Sequence, residues 1–304
     1  MIRPASFGAN PETADSNRFQ QGGADRAAAA RAVHEFDGLV SALRAARVEV
    51  IVVDDTPVPP KPDACFPNNW VSFHADGDVV LYPMMASSRR AERRSEPIEA
   101  VRAAGFGIMR TIDLSPLEAA GEFLEGTGSL VLDRCHRIAY ACRSPRTTEG
   151  ALREYSARLG YRLVAFDALG PDGQPAYHTN VLMAIGEGFA IVCAQAIPHE
   201  RQRAMVLAEL ERAGHEPLAI TVEEMHAFAG NLLALRSADG DQVIAASDTA
   251  WSSLAPATRA RLERLGRVVH APIPTIEKHG GGSVRCMIAE VFLPRTDRAA
   301  PGRC

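Results

Sequence analysis

Hydrophobic and polar positions along this chain fall into blocks that repeat in type rather than in letters. Each block reads as two short apolar strands, an amphipathic helix and one further strand, and the pattern returns about every 50–60 residues. The first block contains NWVSFHADGDVVLYPM, with Asp76-Gly77 at its hairpin turn, then a predicted helix from Arg89 to Ala104 and the strand GIMRTIDL. The second has GSLVLDRCHRIAYACR, a helix from Thr147 to Leu159, and YRLVAFDAL. The third has NVLMAIGEGFAIVCAQAI, a helix from His199 to Ala213, and EPLAITV. NLLALRSADGDQVIAAS, a helix from Asp248 to Leu265, and RVVHAPI make the fourth. A fifth opens at GGGSVRCMIAEVFLP and stops before its helix and closing strand.

The N-terminus holds the missing pieces. Ala24 to Ala46 reads as a helix with Val33, Phe36, Val40 and Leu43 on one face, and VEVIVVDD reads as a buried strand. The two ends are therefore expected to meet and close a ring of five units, which leaves no exposed sheet edge between blades. An open α/β sandwich has the same element order. MIRP reads as the start of a ring-closing strand, so a few residues are expected upstream of Met1.

Composition narrows the function classes. The 304 residues are 46% hydrophobic and 23% charged, ordinary for a globular chain and ample for a substantial core. A net charge of -4 favours neither nucleic acid nor an anionic membrane as partner. No apolar run reaches the roughly 18–20 residues of a membrane helix, and the first residues lack an apolar signal core. A cytoplasmic location is the default expectation. The six cysteines (65, 135, 142, 193, 286 and 304) form no CxxC pair, so reduced thiols are expected and zinc is not. Cys135 and Cys142 lie in apolar runs and are expected in the core.

Candidate chemistry sits where the blocks begin. The segments before the hairpins are PDACFPNN, FLEGTGS, YHTN, FAGN and GGGSVRC. Four of them carry Asn69, Glu125, His178 and Cys286 at that junction. In a ring, equivalent junctions converge at one end of the central axis. A thiol, an imidazole and a carboxylate would then face one another, the parts of a covalent-catalysis site. The glycines before Cys286 allow close backbone approach and N–H groups aimed at an oxyanion. Arg285, or a cationic His178, would favour the thiolate. A core Cys286, a structural His178 and a solvated Glu125 are the plain alternatives for each residue alone.

The combination PDACFPNNW, LEGTGS, SPRT, YHTN and GGGSVRCM resembles the guanidine-modifying enzymes of the pentein superfamily, the arginine deiminases, dimethylarginine dimethylaminohydrolases and amidinotransferases. MIRPASFGANPET, FPNNWVSFH and GGGSVRCM are most similar to its arginine-deiminase-related, citrulline-utilisation branch. The resemblance covers essentially the whole chain. It implies an α/β pentein fold, a five-bladed ββαβ propeller with pseudo-fivefold symmetry, as a single catalytic domain over residues 1–304. It further implies Cys286 as nucleophile, His178 as general acid/base and Glu125 as the carboxylate orienting it. Asp63 and Phe66 match substrate-pocket residues, Arg146 an arginine for the substrate α-carboxylate, and Arg89 a second such ligand. No metal or cofactor is expected. The partner is a small-molecule substrate, not nucleic acid or membrane, and a homodimer stays open.

Two positions depart from the deiminases. Asn69 and Asn180 stand where those enzymes place aspartates that bind the cationic guanidinium. An amide offers one acceptor and one uncharged donor group, which suits a neutral ureido group; a buried cation facing two amides is poorly compensated. The expected reaction is therefore cleavage of citrulline to ornithine, CO2 and ammonia through a covalent thio-intermediate. Arginine or methylarginine deimination and amidinotransfer are the rivals within the family. A non-catalytic pentein binding ring, such as the ribosome anti-association factors, is the rival outside it, and it lacks the Cys/His/Glu set.

Overall fold

Four stretches of the chain each fold into a three-stranded sheet of one topology. The structure, a computed structural model, describes residues 1–21, 23, 25, 27–170 and 173–296. Blade one pairs Val71–Phe73 antiparallel with Asp78–Leu81, which pairs parallel with Arg110–Asp113 across a helical crossover. Blade two repeats this with Val131–Asp133, Ile138–Cys142 and Arg162–Phe166. Met183–Gly186, Phe189–Val192 and Glu216–Ala219 form blade three, and Leu233–Arg236, Gln242–Ser247 and Arg267–Ala271 form blade four. The middle strands are mostly apolar because both faces are covered, and every residue of Ile138–Cys142 is buried.

The fifth blade is assembled from both ends. Ile2–Arg3 pairs parallel with Val53–Asp54, with the helix Ala28–Ala45 between them, the same parallel crossover as in the other blades. That helix buries Phe36, Leu39 and Leu43 against Val269 and Ala271 of blade four. The C-terminal segment supplies the inner edge: Val291 bridges Phe73 of blade one, and Arg285 N donates to the Asn231 carbonyl beside blade four. The first strands of blades two and four each contact that of blade three near the centre. The ring of five units predicted from the repeat is the architecture, with four complete ββαβ blades and a fifth that lacks a regular first strand.

Several elements differ from their sequence prediction. The helix expected over Arg89–Ala104 is a 3-10 turn, Ser87–Glu92, followed by the α-helix Ser95–Ala103, because Arg89 and Glu92 turn inward and pair with each other. Pro256 breaks the helix expected over Asp248–Leu265 into Asp248–Ser253 and Pro256–Leu265; the residue before a proline avoids the helical region, and Ala255 sits at φ -54°, ψ 142°. VEVIVVDD is only half-buried and pairs at two residues. GGGSVRCMIAEVFLP forms turns and one isolated bridge in place of a strand. Cys135 is exposed in the hairpin turn of blade two, whereas Cys65, Cys142, Cys193 and Cys286 are buried free thiols. Ala24, where the first helix was expected to begin, and Cys304 lie outside the described residues.

Candidate active site

Each blade enters its first strand through a short turn, and those turns carry the polar residues. Pro67–Asn69 is a 3-10 turn ending on Asn69. Glu125 directly precedes the helical turn Gly126–Ser129. His178 precedes the 3-10 turn Thr179–Val181, which holds Asn180. Cys286 lies in a turn closed by its own N–H to the Ser283 carbonyl at 2.9 Å. The ring brings these turns to one end of its axis. There they surround a cavity lined by Thr13, Asn17, Asp63, Phe66, Asn69, Arg89, Arg146, Tyr177, His178, Gly280–Gly282 and Cys286.

Glycines let the turns close. Gly126 holds φ +47°, and a Cβ there would stand 2.1 Å from the Asn68 carbonyl. A Cβ on Gly128 would lie 2.4 Å from Asn69 Nδ2 and 2.7 Å from His178 Nδ1. The GTG sequence is thus a spacing requirement of the site. On the far wall, Gly280 packs against the Phe66 ring, where a Cβ would come within 2.6 Å.

His178 Nε2 lies 2.9 Å from Glu125 Oε2, and both side chains are buried. Burial alone would raise the Glu125 carboxyl, but the Arg146 guanidinium and the His178 bond reverse this and hold it well below the usual carboxylate range. Burial pushes His178 down to about 4 despite Glu125, so the ring is neutral at pH 7. A carboxylate only accepts, so Nε2 carries the proton and Nδ1 is left as the base. Burial thus works against a cationic His178 at rest, one of the two expected sources of positive charge near the thiol. Arg285, the other, turns away to Glu290 at 2.9 Å.

Amides take their place. Asn180 Nδ2 and Asn231 Nδ2 each lie 3.4 Å from Cys286 Sγ, and N–H donors hydrogen-bond more strongly to a thiolate than to a thiol. Asn231 also accepts from Arg285 N at 3.1 Å through Oδ1 and donates to the Asn180 carbonyl at 3.0 Å, so it locks the Cys286 turn to blades three and four. Asn231 ends FAGN, the fourth junction, and is not among the residues expected at the site. Position along the repeat was the signal; an Asn among Cys, His and Glu carried no chemistry by itself.

The remaining predicted residues are all buried around this centre. Arg89 donates to Asn69 Oδ1 at 2.8 Å and to both Glu92 oxygens at 2.9 Å, with Asp63 Oδ2 at 3.7 Å. Asp63 accepts from Asn10 Nδ2 at 2.8 Å. Burial raises Glu92 to about 7 against the pull of Arg89. Arg146 donates to Glu125 at 3.3 Å, to the Thr13 carbonyl at 3.1 Å and to Ser16 Oγ at 2.6 Å. Asn17 Nδ2 reaches the Gly280 and Gly281 carbonyls at 3.3 and 3.2 Å. Thr13–Asn17 therefore covers the cavity, leaving about 10 Å³ for the centre of a water, room for a single such molecule. Four buried amide atoms have no partner: Asn68 Nδ2 and Oδ1, Asn69 Nδ2 and Asn180 Oδ1, and of these residues Asn69 lines the cavity. Asn68 and Asn69 precede the first strand of blade one, and the backbone N–H groups of Gly281, Arg285 and Cys286 are committed to Glu277, Asn231 and Ser283. Of the side-chain amides that line the cavity, Asn69 is the one with a free donor.

A family model described as N,N dimethylarginine dimethylhydrolase, eukaryotic, matches residues 3–293. No curated protein matches the chain significantly. Among solved structures, the N-terminal domain of ArgZ, a cyanobacterial arginine dihydrolase bound to product, superposes with a TM-score of 0.73 at 17% identity, covering 97% of this chain and 98% of that one. A cysteine-to-alanine mutant of AgrE with L-arginine gives a TM-score of 0.74 at 18% identity, over 99% of this chain and 41% of that one. A dimethylarginine dimethylaminohydrolase adduct with S-methyl-L-thiocitrulline gives 0.64 at 17% identity, over 94% and 96%. The chain spans about two fifths of full-length ArgZ. At these identities the likeness establishes the fold, the pentein propeller.

Proposed function

The chain belongs to the N,N dimethylarginine dimethylhydrolase family, and from that premise we propose that Cys286 attacks the ureido carbon of citrulline and that the products are ornithine, CO2 and ammonia. More broadly, the chain is a hydrolase of carbon–nitrogen bonds in arginine-type compounds, within the guanidine-modifying pentein superfamily.

One observation carries the choice of a ureido group. Arg89 can only donate, so it claims Asn69 Oδ1 and leaves Asn69 Nδ2 as a free donor. Asn180 spends its Nδ2 on the thiol and leaves Oδ1 as a free acceptor. One free donor and one free acceptor match a group with one C=O and several N–H bonds. A guanidinium has only donors, and Asn69 Nδ2 would face one of them unpaired, at a cost of roughly 1–3 kcal/mol.

The chemistry follows from the same atoms. The Cys286 proton passes to His178 Nδ1 as sulfur bonds to the ureido carbon, and the oxyanion forms against Asn69 Nδ2. The imidazolium, held by Glu125, then protonates the departing δ-amine and releases ornithine. His178 next takes a proton from water, which displaces sulfur from the carbamoyl thioester. The carbamate decays to CO2 and ammonia. Asp63, Phe66, Arg89 and Arg146 shape the amino-acid pocket, with Arg146 meeting the substrate carboxylate once Thr13 and Ser16 withdraw. A single domain over residues 1–304 supplies every group used.

Arginine is the second reading. The buried carboxylates Asp63 and Glu92 lie on one side of the site, and the similar structures include arginine and ornithine complexes. The same thiol would then expel ammonia first. kcat/KM for citrulline, arginine, methylated arginines and agmatine separates the readings, measured in the wild type and in Asn69→Asp/Asn180→Asp. The ureido reading expects citrulline to be preferred and the double variant to shift the ratio toward arginine by at least about tenfold. A wild type that prefers arginine, or an unmoved ratio, contradicts it.

A further inference from the structure

At the hairpin end of blades two and three, away from Cys286, we propose a binding site for a divalent transition-metal ion of the zinc type, formed by Asp133, His136 and His215. Asp133 ends the first strand of blade two and is buried. His136 stands three residues on, in the exposed turn, and His215 comes from the loop that leads into the last strand of blade three. Asp133 Oδ2 lies 2.8 Å from His136 Nδ1 and 2.8 Å from His215 Nε2. The three ligand atoms all fall within 4.8 Å of one another, the one such group among the described residues. Asp133 Oδ1 is held separately by His136 N at 3.0 Å, which fixes the carboxylate plane.

Two imidazoles and a carboxylate are donors for zinc, cobalt or nickel rather than for calcium or magnesium, which prefer all-oxygen shells. Bonds of 2.0–2.1 Å in a tetrahedron place ligand atoms roughly 3.3 Å apart, so an opening of about half an ångström admits the ion. The His136 ring is 51% exposed and supplies both that movement and an approach from solvent. Each imidazole would bind in its neutral form, with its proton on the other nitrogen and a lone pair turned toward the ion. His215 Nδ1 is buried without a partner, so the proton it would gain has no acceptor. A missing outer partner costs roughly 10–100-fold in affinity, which makes the site exchangeable rather than permanent. The nearby Arg162 and Arg212 are both paired with Glu209 and do not oppose the charge. The ion would join the blade-two turn to the blade-three loop. The sequence hid the group because its third member lies a whole blade away.

The test uses the full chain carrying Cys286→Ser, so that metal on the catalytic thiol does not contribute. Cobalt(II) is titrated and its visible d–d bands are followed, and zinc is added in thermal melts, each with and without His136→Ala. The proposal expects one equivalent of cobalt in a four-coordinate spectrum. It expects zinc at about a hundred times its dissociation constant to raise Tm by roughly 5 °C, with magnesium inert. Both effects should disappear in His136→Ala, whose exposed side chain leaves the fold in place, and in His215→Gln. Absence of binding, or binding unchanged in both histidine variants, overturns it and leaves a His–Asp–His hydrogen-bond clamp.

Discussion

Blade three and the fifth blade perform opposite tasks in the same ring. Blade three pairs its strands over four residues on each side, and Leu182, Phe189, Ile191, Val206 and Leu210 fill its interior. The fifth pairs two residues, draws on both ends of the chain, and has turns where its first strand should run. Yet the fifth holds Cys286 and the glycines that face it. A regular ladder commits its backbone groups to neighbours and its side chains to the core. A nucleophile needs a turn that projects one side chain into a cavity, which a ladder forbids. The ring resolves this by letting complete blades supply rigidity while the incomplete one supplies the thiol that the proposed reaction uses.

Substitutions that separate the two tasks sharpen the comparison. Cys286→Ala should lower turnover by roughly 10⁴-fold or more while Tm changes little, measured by ornithine release and thermal melts. Leu210→Ala in blade three should do the reverse, costing about 2–5 kcal/mol in denaturant unfolding with kcat of the folded fraction kept. A Cys286→Ala protein that unfolds, or one that turns over, would break the division. Gly128→Ala is expected to reduce kcat by roughly 10²-fold, because its Cβ would displace Asn69 and His178 while the strand behind stays paired. Steady-state kinetics beside a circular dichroism spectrum checks this.

Asn231→Ala should have a smaller effect, about tenfold in kcat/KM, with a matching fall in the rate at which a haloacetamidine alkylates Cys286. An unchanged alkylation rate would remove Asn231 from the nucleophile's environment. The mildest effect concerns pH. His178 acts as a base only when neutral, and its value is pushed down by burial to about 4. On the acid side, kcat/KM should therefore stay level through pH 6 and be lost only as pH falls through about 4. An acid limb centred near 6.5 would show that the ring titrates as if exposed.

Blades one to four were legible because each strand pair and helix is local and the apolar spacing repeats. The fifth was legible as a closure but not in form: VEVIVVDD has the letters of a strand, yet its half-buried face and short partner leave it largely unpaired. Cys286, His178, Glu125 and Asn69 could be grouped because position in the repeat is also position around the axis. What the letters concealed is how partners are divided. That Arg89 pairs with Glu92 instead of facing solvent, and that Arg146 already holds Thr13 and Ser16, depends on contacts between distant segments. Asn231 escaped notice because its role is to hold another residue's sulfur.

The account turns on a covalent bond between Cys286 and the ureido carbon. Carbon-labelled citrulline mixed with the protein, quenched in acid during turnover and digested for mass spectrometry tests it directly. The account predicts a labelled carbamoyl group on the peptide that contains Cys286, lost on longer incubation as ornithine and labelled CO2 accumulate. Ornithine formation with no label on that peptide, or with the label on Cys65 or Cys193 instead, would contradict it.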